Sequence, residues 1–195
     1  NPSLEINGLV SEKYISRLEK EKSDINKIIF PGDFTNLNDY EPRETYANVS
    51  KPSAGLESFY NKYKGKRCII IGNGPSLNQI DLGRIQNEYT FGVNSLYYKT
   101  NENGFLPTFF VVEDSSVMKE NINEIKSYNA PYKFFPTIYK NLHGEKKNTF
   151  FFKMNRGFYE KSSPNFCVPR FSTDFSKVAF CGQSVTYINL QLAYF

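Results

Sequence analysis

A chain of 195 residues with 39% hydrophobic content has the length of one domain with an arm, and can bury roughly two thirds of its unfolded surface without needing disulfide staples. Twenty-four Lys plus Arg against twenty Asp plus Glu leave +4; the basic residues are scattered, so anionic partners are favoured only weakly and dedicated nucleic-acid binding is not the default. Three cysteines without a CxxC pair argue against a disulfide framework or zinc site, and no apolar run approaches the ~20 residues that span a bilayer, which fits a reducing cytoplasm and leaves room for peripheral membrane association only.

Residues 9 to 22 place Leu9, Val10, Tyr14, Ile15 and Leu18 at helical spacing behind Ser11, predicting an amphipathic helix. Pro31, Gly32, Pro42 and Pro52 then interrupt every period, so this stretch reads as an irregular connection. Leu56, Phe59, Tyr60 and Tyr63 predict one more short helix before a basic cluster. The domain boundary is expected near Lys64, giving an N-terminal arm over 1–64 and a nucleotide-binding domain over 65–195. The absence of an initiator methionine and the apolar Tyr194-Phe195 ending lead to the expectation that both ends were cut from something longer.

Beyond Lys64 the pattern becomes regular. Cys68 to Ile71, Tyr89 to Val93 and Thr108 to Val112 are short apolar runs that end in polar residues, as strands covered on both faces do. With helical sequence between them they predict an α/β fold: a Rossmann-like open, mostly parallel sheet with helices on both faces. Met118, Ile122 and Ile125 share a helical face within 118–128. Phe134-Phe135 and Thr149 to Phe152 supply further strands, 155–174 reads as loop, and Val185, Ile188, Leu192 and Phe195 mark a last helix.

The stretch CIIIGNGPSL, residues 68 to 77, carries most of the functional signal. In an open parallel sheet the ligand crevice lies beyond the carboxyl ends of the strands, where helices begin with free N–H groups suited to phosphate. Gly72 and Gly74 permit positive φ and close backbone approach, Asn73 lies between them, Pro75 suits the first helical position, and Ser76 adds a hydroxyl. Leu77 replaces the third glycine of GxGxxG, and Asn94 stands where a dinucleotide site needs an acid, so a nicotinamide enzyme is disfavoured; the P-loop lysine is also missing. Asn94 can donate to and accept from a ribose or base edge, or it can cap the turn after its strand.

Glu113 and Asp114 come after the third run. Neighbouring strand residues point to opposite faces, so one is expected to enter the crevice, and Asp114 is the candidate, as a ligand to Mg²⁺ or sugar hydroxyls or else as a helix N-cap. Gly182, Gln183 and Ser184 repeat a glycine, polar residue and helix start, fit to face a carboxylate or phosphate or simply to cap. The sole histidine, His143, lies in a polar turn and is expected at the surface. No resident metal site is predicted.

Taken together, GNGPSLNQIDL (72–82), FGVNSLYY (91–98), LPTFFVVED (106–114) and CGQSVTYINLQLAYF (181–195) resemble the MptE-like group, named for a 6-hydroxymethylpterin diphosphokinase and including flagellin motility accessory factors. The first and last blocks are also similar to the bacterial sialyltransferases of glycosyltransferase family 42. The resemblance implies that Gly72, Asn73, Gly74, Ser76 and Asn94 lie beside a nucleotide, with Asp114 on the third strand and Gly182, Gln183 and Ser184 near the donor's acidic group. The sialyltransferase comparison further implies a nucleotide-sugar donor such as a CMP-sugar, a glycan acceptor and no metal. It also implies a His base in a segment beyond the last helix, a place His143 does not match. The reading preferred on these grounds is a nucleotide-sugar-dependent glycosyltransferase of surface glycan assembly. Its alternatives are an MptE-like diphosphokinase using Mg-ATP on a pterin alcohol, with Asp114 toward the metal, and a non-catalytic nucleotide-binding module.

Overall fold

The computed structural model describes residues 55–163 and 165–195. The helix expected over 9–22 and the irregular connection after it lie outside the described residues. Five strands, β1 (Cys68–Ile70), β2 (Tyr89–Val93), β3 (Phe109–Val111), β4 (Tyr132–Pro136) and β5 (Thr149–Phe152), form one sheet in the order β1-β2-β3-β4-β5. All four pairings are parallel. After Lys153 the chain continues as β6 (Met154–Asn155), which pairs in parallel with β7 (Ala179–Phe180).

The apolar runs form strands because both faces of the sheet are buried. Phe109 and Val111 pack into one hydrophobic cluster while Phe110 and Val112 pack into the other; Phe134 and Phe135 divide in the same way. With strands placed in chain order, right-handed crossovers all pass over one face. That face carries Leu77, Leu96, Tyr97, Met118 and Ile125, all from the connecting elements: α1 (Tyr97–Asn103), α2 (Ser115–Glu120) and α3 (Ile122–Ser127), with α4 (Lys140–His143) after β4, and 3-10 turns between. The helix expected across 118–128 is broken at Asn121, which ends α2 and precedes α3.

The opposite face is closed by α5 (Val185–Tyr194) and a 3-10 turn, Leu56–Phe59, with Phe158 and Phe175. Helical cover on both faces agrees with the expectation. Leu56 and Phe59 are buried against β4 and β5 residues, so the segment just upstream of Lys64 packs with the sheet. From β7 at the far side, α5 returns across this face to β1 and β2. Its Gln191 is fully buried and makes four hydrogen bonds. Oε1 accepts from Ser172 N at 3.0 Å and Phe180 N at 2.9 Å. Nε2 donates to Phe180 O at 2.9 Å and Tyr187 O at 3.1 Å.

Two basic side chains are buried on the crossover side. Lys133 on β4 is 1% exposed, and its Nζ donates to the carbonyls of Ile125 and Lys126, at 3.0 and 3.3 Å, where α3 ends. Burial and the nearby Lys146 push its pKa down to about 8. The expected surface position of His143 is corrected: it is 3% exposed, wedged against the rings of Phe135 and Phe151. Its aromatic body fills a hydrophobic gap while Nδ1 donates to Gly144 O at 2.7 Å, and Nε2 has no hydrogen-bond partner.

Burial, helped by Lys133, Lys146 and Lys126 and opposed by the Gly144 carbonyl, holds the His143 pKa below its ordinary value. The unfolded chain therefore takes up this proton at a higher pH than the folded one, and stability falls as pH drops through about 6.5 and below. Urea unfolding between pH 7.5 and 5.5 should show that loss, and His143→Phe should reduce it; equal slopes in the two proteins would refute the assignment.

Candidate functional site

The carboxyl ends of the strands bring most of the expected residues to one rim. Beyond β1, Gly72, Asn73, Gly74 and Ser76 are exposed. A methyl group added at Gly72 would meet nothing within 4 Å, and one at Gly74 only Ser76 Oγ at 3.8 Å, so this turn is open to an approaching ligand. Positive φ plays no part: Gly74 has φ −67° and Gly72 is likewise outside the left-handed region. The turn leads into a five-residue 3-10 helix, Pro75–Gln79, with Pro75 at its first position. Leu77 N donates back to Gly74 O at 2.9 Å.

Asn73 ties this turn to the next strand, its Nδ2 donating to Val93 O at 2.7 Å. Asn94 comes next after that strand with φ 46°, a left-handed conformation that Asn tolerates better than most side chains. Its Oδ1 is buried and has no hydrogen-bond partner. A buried acceptor left unpaired costs about 1–3 kcal/mol, so Asn94 combines backbone strain with an unused polar atom. Such strain collects at ligand sites.

The two carboxylates divide as neighbouring strand-end residues do, though in the opposite sense to the one expected. Asp114 is the N-cap of α2, its Oδ1 accepting from Val117 N at 2.8 Å. Glu113 turns toward Arg156, 3.6 Å from carboxylate oxygen to guanidinium nitrogen, with the Glu113 side chain 17% exposed. Burial raises the Glu113 pKa, Arg156 opposes the rise, and Asp114 adds to it. Tyr139 Oη donates to the backbone carbonyl of Glu113 at 2.8 Å, while Arg156 lies over the Tyr159 ring at 5.6 Å.

Cys181, Gly182, Gln183 and Ser184 enter the same rim after β7. Cys181 N donates to Asn155 O at 3.0 Å, placing this segment beside Arg156. Burial and the nearby Glu113 push the Cys181 thiol up to about 12, so it stays protonated and is no nucleophile. Gly182 is held by close approach, since a Cβ there would stand 2.5 Å from the Tyr187 ring. Gln183 has φ 67°, and Ser184 caps α5, its Oγ accepting from Thr186 N at 3.2 Å. Sequence reasoning favours Asp114 over Glu113; it offers Tyr132, Tyr139, Tyr159 and Arg156 as residues able to line the crevice, but their spacing does not show it, because their meeting depends on strand order.

His143 is on the crossover side, away from these groups. A cavity of about 310 Å³, lined by Tyr63, Lys66, Tyr89, Phe91, Phe109 and Phe195 among others, opens at the amino ends of β1 to β3, opposite the rim. The rim, and not this cavity, holds the unpaired Asn94 oxygen and the Glu113–Arg156 pair. Among the described residues no group of three or more His, Cys, Asp or Glu is placed to hold a metal ion, and no helix is long and apolar enough to cross a membrane.

A family model described as 6-hydroxymethylpterin diphosphokinase MptE-like matches residues 43–195. The chain belongs to the MptE-like family. This MptE-like match takes in the whole sheet, the rim and α5, and starts upstream of the boundary expected at Lys64. No curated protein and no solved structure matches the MptE-like chain.

Proposed function

We propose that this chain is a diphosphokinase-like transferase that binds Mg-ATP at the rim and passes a pyrophosphoryl group to the primary alcohol of a pterin. The observation that carries the reading is the MptE-like family match across the rim. The open turn at Gly72–Gly74 and the unpaired Asn94 oxygen support it. The glycosyltransferase reading preferred from sequence gives way to this one, because the family match points to the diphosphokinase.

In such a transfer the alcohol oxygen bonds to the β-phosphorus of ATP, the bond from that phosphorus to the bridging α,β-oxygen breaks, and AMP leaves with the electron pair. The alcohol proton goes to a base. Catalysis of this kind is mostly positioning and charge stabilisation. The exposed turn offers backbone to the phosphates, Asn94 Oδ1 accepts from a ribose hydroxyl or base amine, and Arg156 faces the charge that develops. Glu113, its pKa raised by burial, is the proton acceptor of this scheme, since a carboxylate nearer neutrality is a better base.

A thermal-shift series tests it with Mg-ATP, ATP plus EDTA, CMP and a CMP-sugar. Mg-ATP at a hundredfold its Kd should add about 2.7 kcal/mol. Asn94→Ala should abolish that gain; alanine tolerates φ 46° less well than asparagine, so the ligand-free Tm should itself fall by the equivalent of about 1–2 kcal/mol, and the gain is read against each protein's own ligand-free Tm. Stabilisation by CMP without metal would restore the glycosyltransferase reading. Silence with every nucleotide would sink both.

A further inference from the structure

We propose that the amphipathic segment 9–22 of this chain docks along the outer face of α5. The inner face of α5, with Val185, Ile188 and Leu192, is buried against the sheet. Its outer face is apolar as well. Leu190 is 46% exposed and Tyr194 65%, and with Tyr187 they fall at i, i+3 and i+7, one stripe of a helix. Phe171, itself 43% exposed, links the stripe, its ring 6.2 Å from Tyr187 and 5.5 Å from Tyr194. No charged residue occurs anywhere in Val185–Tyr194. A helix that is apolar on both sides is one that is covered on both sides. Among the described residues Ile80, Tyr98 and Val168 are exposed but far apart in sequence, and Ile138 and Leu142, at i and i+4, form only a pair across a 3-10 turn and the four-residue α4.

The occupant is indicated by the chain itself. Val10, Tyr14 and Leu18 recur every four residues with Ile15 beside them, and Ser11, Glu12, Lys13, Arg17 and Glu19 take the other positions. An isolated helix of about 14 residues is marginal in water and needs a surface for its apolar face. The attachment is close. Tyr60, five residues beyond the first described one and 61% exposed, packs its ring 5.3 Å from Phe195 at the far end of the same helix. Asn61 N donates to Phe195 O at 2.8 Å. A connection as long as 23–54 can reach at most ~110 Å when fully extended, several times the ~15 Å length of a ten-residue helix, so reach is no obstacle. The seam would be of apolar residues on both sides, with the arm's charges left to solvent.

The chain contains no Trp, so one introduced indole reports alone. In the full chain Ile15→Trp should emit to the blue of free tryptophan amide and be quenched several-fold less by iodide. Adding Leu190→Asp or, separately, Tyr194→Asp to the same chain should return emission and quenching to the free values. Both replaced side chains are exposed, and a circular-dichroism melt checks that each variant is folded. Three results would overturn the proposal: free-like emission in Ile15→Trp alone; protection that survives both aspartates; or protection that fades on dilution while light scattering shows two chains, which makes a second copy the occupant.

Discussion

Replacing Gln191 with leucine should cost about 3–9 kcal/mol. The substitution removes one amide and leaves Phe180 N, Phe180 O and Ser172 N buried without their partner, each worth about 1–3 kcal/mol when stranded. Against a total stability of about 5–15 kcal/mol for a domain, that loss takes much of the fold with it. Two residues away on α5, Asn189 is also fully buried, yet both its Oδ1 and Nδ2 are without partners. Asn189→Leu, with the same number of side-chain heavy atoms, removes an uncompensated desolvation and should raise stability by about 1–3 kcal/mol, less what its bulkier methyl groups cost in packing. Denaturant midpoints for the two variants should therefore move in opposite directions. Destabilisation by Asn189→Leu would mean that its amide has a partner, and a neutral Gln191→Leu would mean that the clasp on β7 is dispensable.

The second large effect is expected at Gly157, immediately after Arg156. A Cβ at this position would lie 2.3 Å from Ser163 Oγ, 2.4 Å from Asn165 Oδ1 and 2.9 Å from Asn155 Oδ1. Those oxygens belong to a buried network in which Asn155 Oδ1 accepts from Gly157 N at 2.8 Å and Ser163 Oγ donates to Asn165 Oδ1 at 2.6 Å. A methyl group cannot enter without parting these bonds, so Gly157→Ala should cost about 2–4 kcal/mol, at the upper end of overpacking. Because Arg156 and Tyr159 flank it, the same variant should weaken any ligand that the rim binds. A thermal melt with a ligand titration at a temperature where the variant is folded would separate the two effects. A wild-type Tm would disprove the packing argument.

Much of the fold was legible before any coordinates. Runs such as Phe109-Phe110-Val111-Val112 betray strands whose alternate side chains enter different cores, and α5 announced itself through Val185, Ile188 and Leu192. The glycine turn and Asn94 could be placed on one rim because both come directly after strand ends. Features that depend on long-range partners stayed hidden. Asn121 breaks a helix whose apolar spacing runs straight through it. Lys133 and His143 look like surface residues until the carbonyls of α3 and the rings of Phe135 and Phe151 are seen around them. Asp114 is the candidate from sequence, yet the serines after it begin the helix that Asp114 caps, and it is Glu113 that meets Arg156. The two-residue strands β6 and β7 are too short to leave a periodic trace.

Laying the strands side by side in the order of synthesis has a consequence for how the molecule is assembled. Each neighbour-to-neighbour connection closes a loop of roughly 20 residues, for an entropic cost near 2.7 kcal/mol by (3/2)RT ln n, whereas bringing α5 onto β1 closes roughly 120 and costs about 4 kcal/mol. The sheet can therefore lengthen one ribbon at a time as the polypeptide emerges, each addition drawing on contacts already near at hand. Only α5 closes the second face late, and among the described elements its contact with β1 spans more of the chain than any strand pairing does.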